Sequence, residues 1–198
     1  MAEPEIPLDG GADSTVVRVG QTVRRVSRSW SPAVLDLLRH LEREGFAGAP
    51  RALGFDDQAR EVLTYIAGEV GRGDRFIARQ GGRFDVRLPD YVWRDDMLTN
   101  LGALMRTYHD AAATFPWAGR EWRLAARQPS ETVCHNDLTP WNTVFRAGVP
   151  VAFIDWVAAA ASRAPELPAC SRRMPAATGA GPCRSAPAAA QGSLSKKR

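Results

Sequence analysis

Val133-Cys134-His135-Asn136-Asp137-Leu138-Thr139-Pro140-Trp141-Asn142 is the stretch on which the fold reading turns. Its pattern is H-x-D-x-x-x-x-N. A short apolar hairpin follows, and thirteen residues after Asn142 comes Asp155, in Ile154-Asp155-Trp156. Phosphoryl transfer asks for these residue types in this order. One carboxylate orients the attacking hydroxyl and accepts its proton, while an amide oxygen and a second carboxylate hold magnesium against the nucleotide phosphates. A loop followed by a hairpin can bring all three to one point. Asp137 is the expected base and Asn142 and Asp155 the expected metal ligands. His135 is read as a structural support of the loop. The competing reading is that Asp137 and Asn142 only cap turns and Asp155 only ends a strand.

Outward from this loop, the sequence reads as a small sheet with a helix, then a more helical part. Residues 15–19 and 22–26 are rich in valine and flank Gly20-Gln21, which predicts a hairpin. Ser31 and Pro32 open a helix as N-cap and first helical residue. Val34, Leu37, Leu38 and Leu41 form its apolar stripe, His40 lies on its polar side, and Gly45 closes it. Residues 52–55 and 61–66 read as strands around Asp56-Asp57-Gln58. Residues 68–92 read mostly as loop. A second helix is expected over 95–113, with Leu98, Leu101, Met105, Tyr108 and Ala112 on its buried side, and with His109 and Cys134 as packed residues near the loop. The hairpin strands are 143–146 and 151–154, turning at Ala147-Gly148. The implied organisation is a flexible lead-in over 1–13, an N-terminal lobe over 14–67, a partial catalytic lobe over 68–156 and a low-complexity tail over 157–198.

Composition narrows the function classes. The 198 residues carry a net charge of +4, but residues 157–198 hold seven Lys or Arg against one acid, Glu166. The basic balance therefore belongs to the tail and the body is slightly acidic, which argues against nucleic-acid binding. The tail also contains thirteen alanines, five prolines and no aromatic residue, so it reads as disordered, as a natural extension or as an out-of-frame continuation. The longest apolar run, residues 156–161, is far too short to span a membrane. Met1-Ala2-Glu3-Pro4-Glu5 has no apolar core of a secretory signal. Cys134, Cys170 and Cys183 suggest neither a disulfide framework nor a zinc site. A cytoplasmic setting is expected.

The loop, the Ile154-Asp155-Trp156 run and the Tyr108-His109-Asp110 end of the second helix resemble the aminoglycoside phosphotransferase family, which includes choline and homoserine kinases. The resemblance covers about residues 9–156. It implies an α+β, protein-kinase-like two-lobe fold: a small antiparallel sheet plus helix in the N-lobe and an incomplete helical C-lobe. It also implies transfer of the γ-phosphate of ATP or GTP to a small-molecule hydroxyl with Mg2+. Gly10-Gly11-Ala12-Asp13-Ser14-Thr15 would cover the phosphates. Arg25, which shares a strand face with Val23, would hold them, with Arg24 as the other choice. Thr64, Tyr65 and Ile66 would form the hinge that binds the base. Trp93, Trp117, Trp122 and Trp141 would surround the mouth of the cleft, lining it or packing.

Three departures stand out. The helix position that carries a glutamate in kinases corresponds to Val34, with Asp36 and Glu42 off that face. Val157 follows Asp155-Trp156 where a polar residue is usual. The family continues where this chain has its Ala/Arg/Pro tail, so a C-terminally truncated or frame-shifted, inactive remnant with at most weak nucleotide binding is the alternative expectation.

Overall fold

The computed structural model describes residues 3–8, 16–71 and 88–163. The phosphate-covering turn expected at residues 10–15 and the tail beyond residue 163 lie outside the described residues. The first sheet has five antiparallel strands in the order β1 (Glu5–Leu8), β2 (Val16–Val19), β3 (Thr22–Val26), β5 (Arg60–Thr64), β4 (Ala52–Phe55). Residues 5–8, expected in a flexible lead-in, instead form β1. It pairs with β2 from Glu5↔Val19 to Leu8↔Val16. The reason is backbone satisfaction: β2 would otherwise present an unpaired edge.

Helix α1 (Ser31–Arg43) connects β3 to β4. Its N-cap is Trp30, and Ser31 sits one residue inside, so the expected capping role of Ser31 is replaced by a longer-range one described below. The C-terminus follows the sequence. Gly45 takes φ +79°, the Gly45 N–H donates to Glu42 O at 3.0 Å and the Phe46 N–H to Leu41 O at 2.9 Å. These are the two bonds of a glycine-terminated helix end.

The stripe Val34, Leu37, Leu38 and Leu41 is fully buried, and Leu35 joins it. The same core takes in Tyr108, Ala111 and Ala112 of α2 (Asp95–Ala112) and reaches Val133, Phe153 and Trp156. Burial of each large apolar side chain contributes about 1.5–3 kcal/mol. Because α2 closes a second side of α1, His40 is not on a polar face. It is buried, with Nε2 3.0 Å from Ala111 O and its ring 5.2 Å from that of Phe115.

At the start of α2 the expected stripe shifts by one residue. Leu98 is 62% exposed while Met97 is buried with Val92 and Phe145. A 3₁₀ turn at Asp90–Trp93, inside the stretch read as loop, packs against this first turn and selects Met97. Farther along, Tyr108 is fully buried and its hydroxyl donates to Val133 O.

A three-stranded sheet holds β6 (Glu69–Val70), β8 (Thr143–Arg146) and β9 (Val149–Phe153) in that order. Ala147 and Gly148 both have positive φ, 51° and 74°, as a two-residue hairpin turn of this hand requires. The last element corrects the boundary drawn at residue 157. β10 (Ala160–Ser162) pairs antiparallel with β7 (Thr132–Cys134), Ala161 opposite Val133. Ala159, Ala160 and Ala161 are buried. A composition that reads as low complexity supplies side chains small enough to fit beneath the loop. Among the described residues, no helix is long and apolar enough to cross a membrane.

Candidate active site

The loop over residues 135–142 is held from below by His135. Its Nε2 lies 2.9 Å from Ile154 O, and its Nδ1 lies 3.4 Å from the Asp137 backbone N. The two contacts together place the proton on Nε2, leaving Nδ1 to accept from the Asp137 N–H. Burial holds the imidazole well below its usual range, at about 4, so it is neutral near pH 7. The ring also sits edge-on to Trp156, 4.6 Å between centroids. A neutral, enclosed imidazole bonded to backbone on both sides acts as a prop for the loop.

Asn136, which sequence reasoning passed over, takes φ 62° and donates its amide to Cys134 O and Ala158 O, each at 3.1 Å. It ties the loop to the chain just beyond Trp156. The only local signal was that asparagine tolerates the left-handed region.

Asn142 stands at the far end of the loop, where the chain enters β8. Its Nδ2 donates to Asp137 Oδ2 at 2.8 Å and to Asp137 O at 3.0 Å. The amide is thereby oriented with Nδ2 toward Asp137, which leaves Oδ1 as its acceptor. The Ile154 N–H donates to Asn142 O at 2.9 Å, so the hairpin ladder brings the next residue, Asp155, to the same end. Asp155 holds φ 59° and ψ 62°, and its side chain is 40% exposed. Burial, and then the charge of Asp155, raise the carboxyl of Asp137 above its ordinary value, while the Asn142 bond and Arg123 oppose the shift. Asp137, Asn142 and Asp155 are thus brought together at one end of the hairpin.

Arg25 reaches them from the five-stranded sheet. It is only 7% exposed. Nε donates to Glu61, and Nη1 lies 3.4 Å from Asp155 Oδ1. Nη2 is buried without a hydrogen-bond partner among the described residues. Arg24, on the opposite face, pairs with Asp56 at 3.6 Å, so of the two arginines Arg25 is the one beside Asp155. The helix carboxylates are engaged elsewhere: Asp36 with Arg39 and Arg120, Glu42 with Arg51. Glu61 was missed because its partner Arg25 lies 36 residues away in sequence. It stands directly opposite Arg25 in the β3–β5 register, a pairing that only the tertiary structure shows.

Thr64, Tyr65 and Ile66, expected as the hinge, lie where β5 ends. Thr64 exchanges bonds with Arg51, and the Tyr65 N–H donates to Gln21 O at 2.8 Å. Among the described residues, the Ile66 amide is not engaged by a neighbouring strand. Arg18 stacks over the Tyr65 ring at 3.9 Å. Of the four tryptophans, Trp117 and Trp122 pack against the main core, while Trp93 and Trp141 are exposed.

The donor set suits magnesium. Mg2+ binds oxygen, keeps several waters, and is commonly held by one or two carboxylates together with substrate phosphates. Asp155 and the Asn142 Oδ1 supply hard oxygen donors of this kind. Among the described residues, no three His, Cys, Asp or Glu gather into a dedicated metal cage.

The fold has counterparts. A macrolide 2′-phosphotransferase from Brachybacterium faecium superposes with a TM-score of 0.53 at 17% identity, covering 79% of this chain and 67% of that one. The streptomycin–ATP ternary complex of APH(2″)-IIa gives 0.51 at 13% identity, covering 81% and 67%. At these identities the likeness concerns the fold. A trifolitoxin immunity protein from Rhizobium leguminosarum bv. trifolii is 36% identical over 171 residues, which is 81% of this chain and 58% of that protein. The chain thus spans less than two thirds of the length of this relative. Residues 5–162 match the phosphotransferase enzyme family, and the chain belongs to that family, with its two-lobe, protein-kinase-like α+β fold.

Proposed function

We propose that this protein moves the γ-phosphoryl group of ATP or GTP to a hydroxyl of a small molecule. The observation that carries the reading is the convergence of Arg25, Asp137, Asn142 and Asp155 from two sheets and one loop. Asp137, oriented by Asn142, accepts the proton of the acceptor hydroxyl. The hydroxyl oxygen bonds to the γ-phosphorus as the bond to the β–γ bridging oxygen breaks, and ADP or GDP leaves. The Asn142 Oδ1 and Asp155 would hold Mg2+, which would neutralise charge on the phosphates. The unpartnered Nη2 of Arg25 is a donor suited to a phosphate oxygen. Thr64, Tyr65 and Ile66 bind the base through backbone groups, with Ile66 as donor. The setting is cytoplasmic, where nucleoside triphosphates are available, and neither nucleic acid nor membrane is a partner.

Thermal unfolding with and without magnesium-ATP or magnesium-GTP tests the nucleotide half. A hundredfold excess over the dissociation constant adds about 2.7 kcal/mol of stability, and Asp155→Ala removes the shift. Transfer of labelled γ-phosphate tests the other half, beginning with the compounds named for the relatives: aminoglycosides, macrolides and trifolitoxin. A magnesium-dependent shift with no transfer to any acceptor favours a nucleotide-binding chain without turnover. No shift rejects the reading.

A further inference from the structure

Arg25 is a buried cation whose direction is set by a chain of contacts that begins on α1. Glu61 lies directly opposite it in the β3–β5 register and is 2% exposed. One Glu61 oxygen, Oε2, accepts from Arg25 Nε. The other, Oε1, accepts from the Ser31 hydroxyl. The Ser31 oxygen itself accepts the Arg28 backbone N–H at 2.8 Å, which leaves its proton for Glu61. Both carboxylate oxygens are thereby engaged and the carboxylate cannot rotate. A guanidinium fixed at Nε by such a carboxylate presents its two terminal nitrogens in a set direction. Here Nη1 points to Asp155, and Nη2 has no partner among the described residues.

We propose that Glu61, locked by Ser31, is the positioning residue for Arg25: it holds the guanidinium aimed at the nucleotide phosphates and limits its approach to Asp155. The inference rests on the nucleotide-binding reading above. It assigns to a strand carboxylate and a helix hydroxyl the work that the apolar Val34 on α1 cannot do. Without the Glu61 charge, Asp155 would be the nearest anion to Arg25, and the arginine would compete with magnesium for it.

The test is calorimetric titration of the 198-residue chain with magnesium-ATP, each variant checked for a cooperative thermal transition. Arg25→Ala and Glu61→Gln are each expected to weaken binding about ten- to hundredfold, the range of a charge-assisted hydrogen bond. The double variant should bind no more weakly than Arg25→Ala alone, since Glu61 acts only through Arg25. Ser31→Ala should give a smaller loss and Ser31→Thr should restore it. Additive losses in the double variant, or wild-type binding by Glu61→Gln beside a weakened Arg25→Ala, would overturn the positioning role. If Glu61→Gln does not fold cooperatively, the Ser31 pair decides: equal binding by Ser31→Ala and wild type rejects the proposal. Wild-type binding by Arg25→Ala rejects a phosphate role for Arg25 while leaving the Asp155 test of the nucleotide site intact. No binding by the wild-type chain rejects both.

Discussion

Asn142 donates one amide nitrogen to both the carboxylate and the backbone oxygen of Asp137, at 2.8 and 3.0 Å. The bond joins the two ends of the loop across five residues. It fixes one Asp137 oxygen, Oδ2. It also orients the asparagine, so the proposed base and the proposed metal ligand hold each other in place.

The first expectation concerns turnover. Asp137→Asn should lower phosphoryl transfer by about 10²–10⁴, the usual effect of removing a general base, with the magnesium-ATP dissociation constant little changed. Steady-state kinetics beside calorimetry separates the two quantities. Undiminished transfer in this variant ends the role assigned to Asp137.

A second concerns the titration of the same carboxyl. Burial and the Asp155 charge raise its folded value. Between the ordinary and the raised value the native chain holds a proton that the unfolded chain releases. Any stability tied to this group is therefore present below the ordinary value and lost as pH rises through the raised one. For catalysis, the acid limb of kcat/KM should be displaced upward from the ordinary Asp value. Asp155→Asn removes the second cause, so the Asp137 carboxyl should titrate lower, as read by carbon NMR. An unmoved titration would show that Asp155 does not act on it.

His135 gives the opposite sign. Its folded value is about 4 against an ordinary 6.5. Stability from keeping it neutral is present above 6.5 and lost as pH falls toward 4. The shift corresponds to about 3 kcal/mol. Denaturant unfolding across this window should show a steep acid-side loss in the wild type and a flatter one in His135→Gln. Parallel slopes would contradict the burial account.

The start of α2 offers a packing contrast. Met97→Ala should cost about 2–5 kcal/mol, as a buried truncation does. Leu98→Ala, one residue along, should stay within about 0.5 kcal/mol. Chemical denaturation of both variants decides it, and similar losses at the two positions would place Leu98 in the core after all.

What the sequence determined by itself was local. The apolar spacing of α1, the glycine that ends it, the Ala147-Gly148 hairpin and the order of His135, Asp137, Asn142 and Asp155 all lie within a few turns or one loop and hairpin of chain. Helical periodicity, turn conformation and loop chemistry act over such distances, so these features are legible in the order of the residues alone. The tertiary structure decided what depends on distant neighbours. Arg25 finds Glu61 36 residues away and Asp155 130 residues away, and no local pattern announces either contact. His40 is buried because α2 closes the second side of α1, and Met97 replaces Leu98 because a 3₁₀ turn packs beside it. The alanines of β10 belong to the fold because β7, 28 residues earlier, lacks a pairing partner without them. A side chain's own propensity is fixed by its neighbours in sequence, whereas its burial and ionic partner are fixed by whichever element folds over it.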